Sequence, residues 1–364
     1  MSAAPQQPAT AESVGAVGPY FNLRVVRVID ETSDARSFEF EIPEESAQRF
    51  AYRAGQFLTF RLSVRSERLV RCYSLASTPG VDDAHKVTVK RIEDGRVSNW
   101  MNDHVQAGDW LEVMPPAGVF CLKDRATPLV LFGAGSGITP VISILKSALK
   151  ETDRSVRLLY ANRDRDSVIF CEELASLEQQ YGGRLDVIHR LDSESGFVDR
   201  ESIAEAVAGR LDADFYICGP GPFMDTAEAA LQGLQVDREQ LFIERFVSLA
   251  DDAEESSSGG AAPEGLLEPG DGNPQTVTIK LDGKTHEIPY APGQTLLAAA
   301  RAAGLEPPFA CEEGYCSCCM AKLTRGRARM LTNDALAEDQ VEEGWVLTCQ
   351  SVPLEDEIDL EFPD

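Results

Sequence analysis

Four thiols are spaced for metal chemistry: Cys311-x4-Cys316-x2-Cys319, then Cys349 after 29 further residues. A tight loop can bring three thiolates to one centre while a fourth arrives from a distant strand, and this spacing is that of [2Fe–2S] ligands. Gly314, inside the loop, can take the positive φ that such a wrap needs. Structural zinc uses paired C-x2–4-C knuckles, and this stretch holds one such pair, so the cluster reading prevails. Cys318 stands beside the set as a fifth thiol. It is expected to be a spectator pointing away from the cluster, although the spacing also lets it exchange with a ligand.

Four further segments have the residue types of nucleotide sites. In Arg71-Cys72-Tyr73-Ser74 the guanidinium offers a forked donor to a pyrophosphate, the tyrosine a flat face for a ring system, and the serine a short hydroxyl donor. Gly95-Arg96-Val97-Ser98-Asn99-Trp100 reads as a turn with Ser98 opening a helix, an ordinary N-cap that can double as an anion site. In Gly133-Ala134-Gly135-Ser136-Gly137-Ile138-Thr139-Pro140, small residues between a strand and a helix let the backbone approach a pyrophosphate. This is not the G-x-G-x-x-G fingerprint, and a tight βα turn would look the same. Cys218-Gly219-Pro220-Gly221-Pro222-Phe223-Met224 closes another strand; a cysteine there is ordinarily buried and inert.

These segments must be positioned by 364 residues, enough for two or three domains. Residues 1–20 read as a flexible tail without a signal peptide's basic start and apolar core, which points to a cytoplasmic protein. Short alternating strands punctuated by turns, such as Phe57–Leu62 and Lys86–Arg91, predict an antiparallel β-barrel over residues 21–125. From 126 to 247 the rhythm becomes strand, helix, strand, which predicts a parallel sheet with helices on both faces. Residues 248–274, rich in Ser, Gly, Pro and acid, read as a linker to a small domain at 275–364. The fold class is therefore multidomain: antiparallel barrel, α/β domain and small C-terminal domain.

A net charge of −26 opposes phosphate backbones and anionic lipid, so nucleic acid and membrane surfaces are excluded as partners. No run of about 18 apolar residues is present to span a bilayer. From residue 250 onward 23 acidic residues face 7 basic ones, a field that could steer a basic protein surface. Nine cysteines without an export signal argue against a disulfide framework. His85, His104, His189 and His286 are scattered without ligand spacing, and no Ser-His-Asp arrangement competes.

The C-terminal segment, about Thr276 to Asp364, resembles plant-type ferredoxins, which implies a β-grasp (α+β) domain holding the cluster on Cys311, Cys316, Cys319 and Cys349. It departs from their usual loop at Ser317 and Cys318, where a Gly and a small residue are customary. Residues 21–247 resemble the ferredoxin–NADP⁺ reductase superfamily through RCYS, GRVSNW, GAGSGITP and CGPGPFM. The resemblance implies FAD, with Arg71 on phosphate, Tyr73 on the isoalloxazine, Ser74 near the reactive flavin nitrogen and Ser98 on phosphate; Lys90, Gly95 and Val97 join this cofactor-binding set. For the nicotinamide it implies Gly133, Gly135, Gly137 and Thr139, the loop Gly219–Pro220, and Cys218 at the hydride-transfer position, with Phe246 closing over the flavin. Asn162 and Arg163 follow the second α/β strand, where arginines could grip a 2′-phosphate and interleaved aspartates would repel one; NADH is favoured and NADPH stays open.

A nicotinamide delivers two electrons at once and an iron–sulfur cluster accepts one, so a flavin must stand between them. The expected chain is NADH → FAD → [2Fe–2S] → an external acceptor. The module order resembles reductase components of multicomponent oxygenases, most of all those of bacterial 3-ketosteroid 9α-hydroxylases, on RCYSLASTP, VTVKRIEDGRVSNW, AGSGITPVISILKSAL, YANRDRDSVIF and ICGPGPFM. That implies a monomeric oxidoreductase serving a Rieske-type terminal oxygenase in steroid degradation. The alternatives are the reductase of phenylacetyl-CoA epoxidase and a flavin-free iron–sulfur carrier or redox sensor.

Overall fold

The computed structural model describes residues 20–65, 67–246, 272–281, 283–309, 312, 314, 318–333, 335–336 and 338–363. Most of the expected tail and linker, and the candidate ligands Cys311 and Cys316, lie outside the described residues.

The first sheet holds β1 (Phe21–Thr32), β2 (Ala35–Glu41), β3 (Phe57–Val64), β4 (Glu67–Ser74), β5 (His85–Lys90) and β6 (Trp110–Ala117) in the order β4-β3-β6-β1-β2-β5. All pairings are antiparallel, and a bridge between Leu75 and Val87 brings the β4 edge round to β5. Alternation in β3 sends Leu58, Phe60 and Leu62 into one apolar interior with Leu23, Phe38, Phe40, Val87 and Val113. The helix Arg96–His104 plugs this interior with Val97 and Met101.

The second sheet, β11-β10-β7-β8-β9, is wholly parallel: β7 (Leu129–Ala134), β8 (Val156–Asn162), β9 (Leu185–Leu191), β10 (Asp214–Gly219) and β11 (Leu241–Arg245). Every residue of β7 and β10 is buried, as expected for central strands covered on both faces. Leu129 and Leu131 face the core under the helices Ile138–Glu151 and Cys171–Tyr181, whereas Val130 and Phe132 face the core under Arg200–Val207 and Gly221–Gly233. The chain runs outward from β7 through β8 to β9, then returns to β10 on the other side. The topological switch point, where such sheets bind ligands at the carboxyl ends of their strands, therefore lies between β7 and β10.

The third unit is a mixed sheet, β13-β12-β18-β14-β16, with a two-stranded ribbon of β15 and β17. Its strands are β12 (Thr276–Leu281), β13 (Lys284–Pro289), β14 (Met320–Arg325), β15 (Ala328–Met330), β16 (Trp345–Leu347), β17 (Ser351–Pro353) and β18 (Asp359–Glu361). The helix Leu296–Ala302, capped by the Thr295 hydroxyl on the Ala298 N–H, buries Leu296, Ala299 and Ala300 against this sheet. Among the described residues no helix is long and apolar enough to cross a membrane.

Candidate functional site

On the barrel, β3 and β4 pair Phe57 with Ser74, Leu58 with Tyr73 and Thr59 with Cys72. The period of two puts Arg71 and Tyr73 on one face and Cys72 and Ser74 on the other. Tyr73 packs on Phe60 with ring centroids 5.8 Å apart, and Ser74 is buried. Arg71 Nη1 donates to the Val70 carbonyl at 2.9 Å.

Ser98 was expected to open its helix, but the helix starts at Arg96 with Gly95 at the cap position. The Ser98 hydroxyl instead accepts the Ile92 N–H at 3.2 Å, stitching the turn that precedes the helix. Beside this helix start lies a cleft of about 320 Å³ lined by Arg65, Gly95, Arg96, Asn99, Trp100 and His104, among others. The rings of Trp100 and His104 stack at 5.7 Å and 17°, one turn apart on one helix face. A flat aromatic wall and a helix N-terminus suit the aromatic and pyrophosphate parts of a dinucleotide, while the Arg65 and Arg96 guanidinium groups share the cleft with the carboxylates of Asp94 and Asp103, and Arg96 is paired to Glu67. The motif reading ended at Trp100 without giving its ring a role and passed over Arg65 and His104; the i, i+4 spacing of the two rings was the signal that could have found the aromatic pair.

At the switch point the two small-residue loops meet. A Cβ on Gly137 would fall on the Cys218 carbonyl and 2.7 Å from the Gly219 nitrogen, so only glycine lets the turn after β7 pack on the end of β10. Thr139 ties the same turn to its helix, its hydroxyl donating to the Ser136 carbonyl at 3.0 Å. Cys218 lies between Gly133 and Glu244 in the sheet register and is wholly buried. Burial, aided by the nearby Glu244 carboxylate, pushes its thiol well above the ordinary range, so it is a neutral thiol and not a nucleophilic thiolate. Pro220 caps the helix Gly221–Gly233, and Phe246, 40% exposed, follows β11.

At the end of β8, Asn162 is only 5% exposed; its carboxamide lies beside the buried Tyr160 hydroxyl, yet no well-formed hydrogen bond satisfies its polar atoms among the described residues. On adjacent β9, His189 Nδ1 and Arg190 Nε are likewise buried without partners among those residues. Orphaned polar atoms cost free energy unless a ligand satisfies them. Their place at the carboxyl ends of β8 and β9 fits the rest of a dinucleotide bound at the β7/β10 crevice. Arg163 is exposed and paired to Asp164 at 3.1 Å, while Asp164 also accepts the Ser167 N–H at 2.9 Å.

The barrel and the parallel sheet are fastened together. Thr78 donates to the Ser143 carbonyl at 3.1 Å, and the Ser143 hydroxyl to the Ser77 carbonyl at 2.6 Å. Lys146, 3% exposed, reaches both Asp82 of the barrel and Glu173 at 2.7 Å, and Lys86 of β5 reaches Glu173 at 3.4 Å. Burial pushes the Glu173 carboxyl up, but the two ammonium groups outweigh it and hold its pKa below the ordinary value. Lys90 Nζ, paired to Asp34 at 3.7 Å, stands 3.9 Å from where a Cβ on Gly135 would sit, so β5 reaches the Gly133–Gly137 loop.

In the third unit Cys319 and Cys349 are buried in one apolar cluster with Leu297 and Leu347. Thr348 binds the Cys319 carbonyl through its N–H at 3.1 Å and its hydroxyl at 2.8 Å, fixing the two ends relative to each other. Gly314 has φ +89°, and a Cβ there would come within 2.8 Å of the Thr332 carbonyl. Two soft thiols converging beside a glycine-dependent wrap fit an iron–sulfur site.

Three family models match: an oxidoreductase FAD-binding domain over residues 22–121, an oxidoreductase NAD-binding domain over 131–229, and a 2Fe-2S iron-sulfur cluster binding domain over 279–354. The ferredoxin reductase component of 3-ketosteroid-9-alpha-monooxygenase from Rhodococcus rhodochrous is 44% identical over 341 residues, 93% of this chain and 96% of that protein. A component of the 1,2-phenylacetyl-CoA epoxidase of Escherichia coli K12 is 34% identical, covering 94% of this chain and 98% of that protein. Among solved structures, phthalate dioxygenase reductase superposes with a TM-score of 0.58 at 26% identity, covering 94% of this chain and 98% of that one.

Proposed function

Because the chain belongs to the family of ferredoxin reductase components of monooxygenases, with FAD-, NAD- and 2Fe-2S-binding domains, we propose that it is the NADH-dependent reductase of a steroid 9α-hydroxylating oxygenase of the Rieske type. The observation that carries the reductase chemistry is the junction at the switch point, where the Gly133–Gly137 loop, Cys218 and Lys90 of the barrel come together. When bound, the three groups supply two-electron uptake from a nicotinamide, storage on a flavin and one-electron release through a cluster.

The chain's own residues do the positioning. Arg71, Gly95, Val97, Ser98 and the Arg65/Trp100 cleft hold the FAD, with Tyr73 packed on its ring and Ser74 close to its reactive edge. Gly133, Gly135, Gly137, Thr139 and Gly219–Pro220 would let the protein backbone approach the pyrophosphate of the nicotinamide dinucleotide. Cys218, wholly buried as an uncharged thiol at the end of β10, would underlie the hydride position, and Phe246 would close the site from its exposed place after β11. Asn162 and Arg163 meet the adenosine end; Asp164 beside them disfavours a 2′-phosphate, which supports NADH. Cys311, Cys316, Cys319 and Cys349 hold the cluster. The functional units run 21–125, 126–247 and 275–364, and the protein acts as a monomer.

The steroid partner is supported by the 44% identity over nearly the full length of both chains, against 34% for the relative from phenylacetyl-CoA epoxidase. Reconstitution separates the two readings. The purified protein and NADH are mixed with a steroid 9α-oxygenase or with a phenylacetyl-CoA epoxygenase, and product is measured against NADH consumed. Coupled steroid hydroxylation is expected. Turnover with the epoxygenase alone would overturn the steroid assignment and leave the electron chain standing.

A further inference from the structure

Cys318, the thiol left over by the cluster spacing, is 6% exposed and buried against the barrel. Its Sγ lies 3.1 Å from the Thr59 hydroxyl and 3.8 Å from the Cys72 Sγ, Phe57, Val70 and Ala117 pack beside it, and the buried Tyr20 hydroxyl is near both thiols. Thr59 and Cys72 are cross-strand partners, so all these groups form one spot on one face of the β3–β4 hairpin. The next residue, Cys319, turns the opposite way into the cluster of Leu297, Leu347 and Cys349. Two consecutive thiols thus serve two different surfaces. Arg68 and Glu306, 3.8 Å apart, cross the same boundary, but both are exposed and add little energy.

We propose that Cys318 is a docking residue and not a cluster ligand: it seats the cluster loop on Thr59 and Cys72 and so sets the flavin-to-cluster distance. The inference rests on the flavin and cluster assignments proposed above. Cys318 is bonded through backbone to Cys319, and Cys72 to Tyr73, so one through-space step between thiols joins the two cofactor-holding segments. In the first transfer the reduced flavin loses one electron and the cluster gains one; the cluster must pass that electron to the terminal oxygenase before it can take the second. After both transfers the flavin is fully oxidised and its two protons have gone to solvent. No bond to either sulfur forms or breaks. Seating by a small, uncharged side chain in an apolar spot also suits a contact that can release when the cluster must face the oxygenase.

The test uses the full-length holoprotein with Cys318→Ala, Cys318→Glu and Thr59→Val, the last leaving every cysteine in place. Anaerobic stopped-flow mixing with NADH follows flavin reduction and cluster reduction separately. Iron content and the electron paramagnetic resonance of the reduced cluster report ligation, and small-angle X-ray scattering reports docking. Unchanged cluster signals and unchanged flavin reduction are expected in all three variants. Flavin-to-cluster transfer should slow by about tenfold in Cys318→Glu and less in the other two, as for a reacting pair displaced by roughly an ångström. The radius of gyration of Cys318→Glu should rise, because a carboxylate does not stay in an apolar contact. A lost or altered cluster signal in Cys318→Ala would make Cys318 a ligand and overturn the proposal. Unchanged transfer together with an unchanged radius in Cys318→Glu would overturn it as well. The unsubstituted protein separates the two claims: no flavin reduction by NADH overturns the functional reading and this inference with it, whereas normal flavin reduction with undisturbed transfer in the variants overturns the inference alone.

Discussion

Gly137 and Cys218 meet where the two central strands of the parallel sheet diverge, and the space a side chain at Gly137 would need is already filled by the Cys218 carbonyl. That carbonyl cannot swing aside, since Cys218 is locked in register between Gly133 on β7 and Glu244 on β11. The crevice at the switch point therefore has a floor of touching backbone, and its shape depends on a missing methyl group.

Gly137→Ala should force the two loops apart. Overpacking of this kind costs about 1–3 kcal/mol, read as a lower melting temperature. The displaced loop should also raise the KM for NADH by roughly tenfold, while bound FAD stays at its normal level. A stability loss with an unchanged KM would mean that the loop packs the sheet without touching the nucleotide.

Cys218→Ala should slow flavin reduction by NADH about tenfold or more with little change in KM, as expected for a group that matters at the reacting centre. Cys218→Ser should lose a further ~1–3 kcal/mol of stability, because its hydroxyl is buried beside no designed partner. The pH dependence follows from the raised thiol pKa. The unfolded chain ionises this thiol near its ordinary 9.0 and the folded chain does not. Its stabilising contribution is thus complete below pH 9 and falls away above it; unfolding curves across that range should show the loss in the native protein and a shallower one in Cys218→Ala.

The small-residue runs at the ends of β7 and β10 were legible because their chemistry is local: three glycines and a proline in residues 133–140, and two glycines and two prolines in residues 218–224, mean a tight strand-to-helix turn in almost any fold. The alternation of β3 and the unbroken apolar runs of β7 and β10 announced a barrel strand and two doubly covered strands for the same reason, although Phe57 and Thr59 on the outer face of β3 are buried too. Ser98 misled because serine is the commonest cap, and only the structure shows its hydroxyl spent on the Ile92 turn. The Lys146–Asp82–Glu173 clamp left no trace, since its members are scattered over some 90 residues and each looks like an ordinary surface charge. Cys318 could be read as left over, but its partner at Thr59 is 259 residues away and comes into view only once the units are folded together.

Lys146→Met should loosen the barrel from the parallel sheet. Removing one partner from a buried pair costs about 3–5 kcal/mol; Lys86 still faces Glu173 and both carboxylates are partly solvated, so about 1–3 kcal/mol is expected. In the native protein the Glu173 pKa lies below its ordinary 4.5, so its contribution is full above that value and is lost as pH falls through the lowered pKa. Without Lys146 burial dominates, the carboxyl titrates higher, and acid unfolding should begin at a higher pH. Flavin reduction should slow as well, because Lys146, Thr78 and Ser143 are what hold the two cofactor sites in register. An unchanged acid midpoint would show that the clamp is not the main tie.

Cys349→Ser should separate the two halves of the electron chain. Cys349 shares its apolar cluster with Cys319, and an alcohol is a harder and weaker ligand for iron than a thiolate. Iron content and the reduced-cluster resonance are expected to drop or shift. Flavin reduction by NADH should persist at close to its native rate, because the contacts that fasten barrel to sheet run through Ser77, Thr78, Asp82, Ser143 and Lys146, none of them in the third unit. Ferricyanide, which can take electrons from a flavin, should still be reduced, whereas transfer to the oxygenase should fall more than about tenfold. Full iron content in this variant would remove Cys349 from the ligand set and leave Cys318 as the thiol to test in its place.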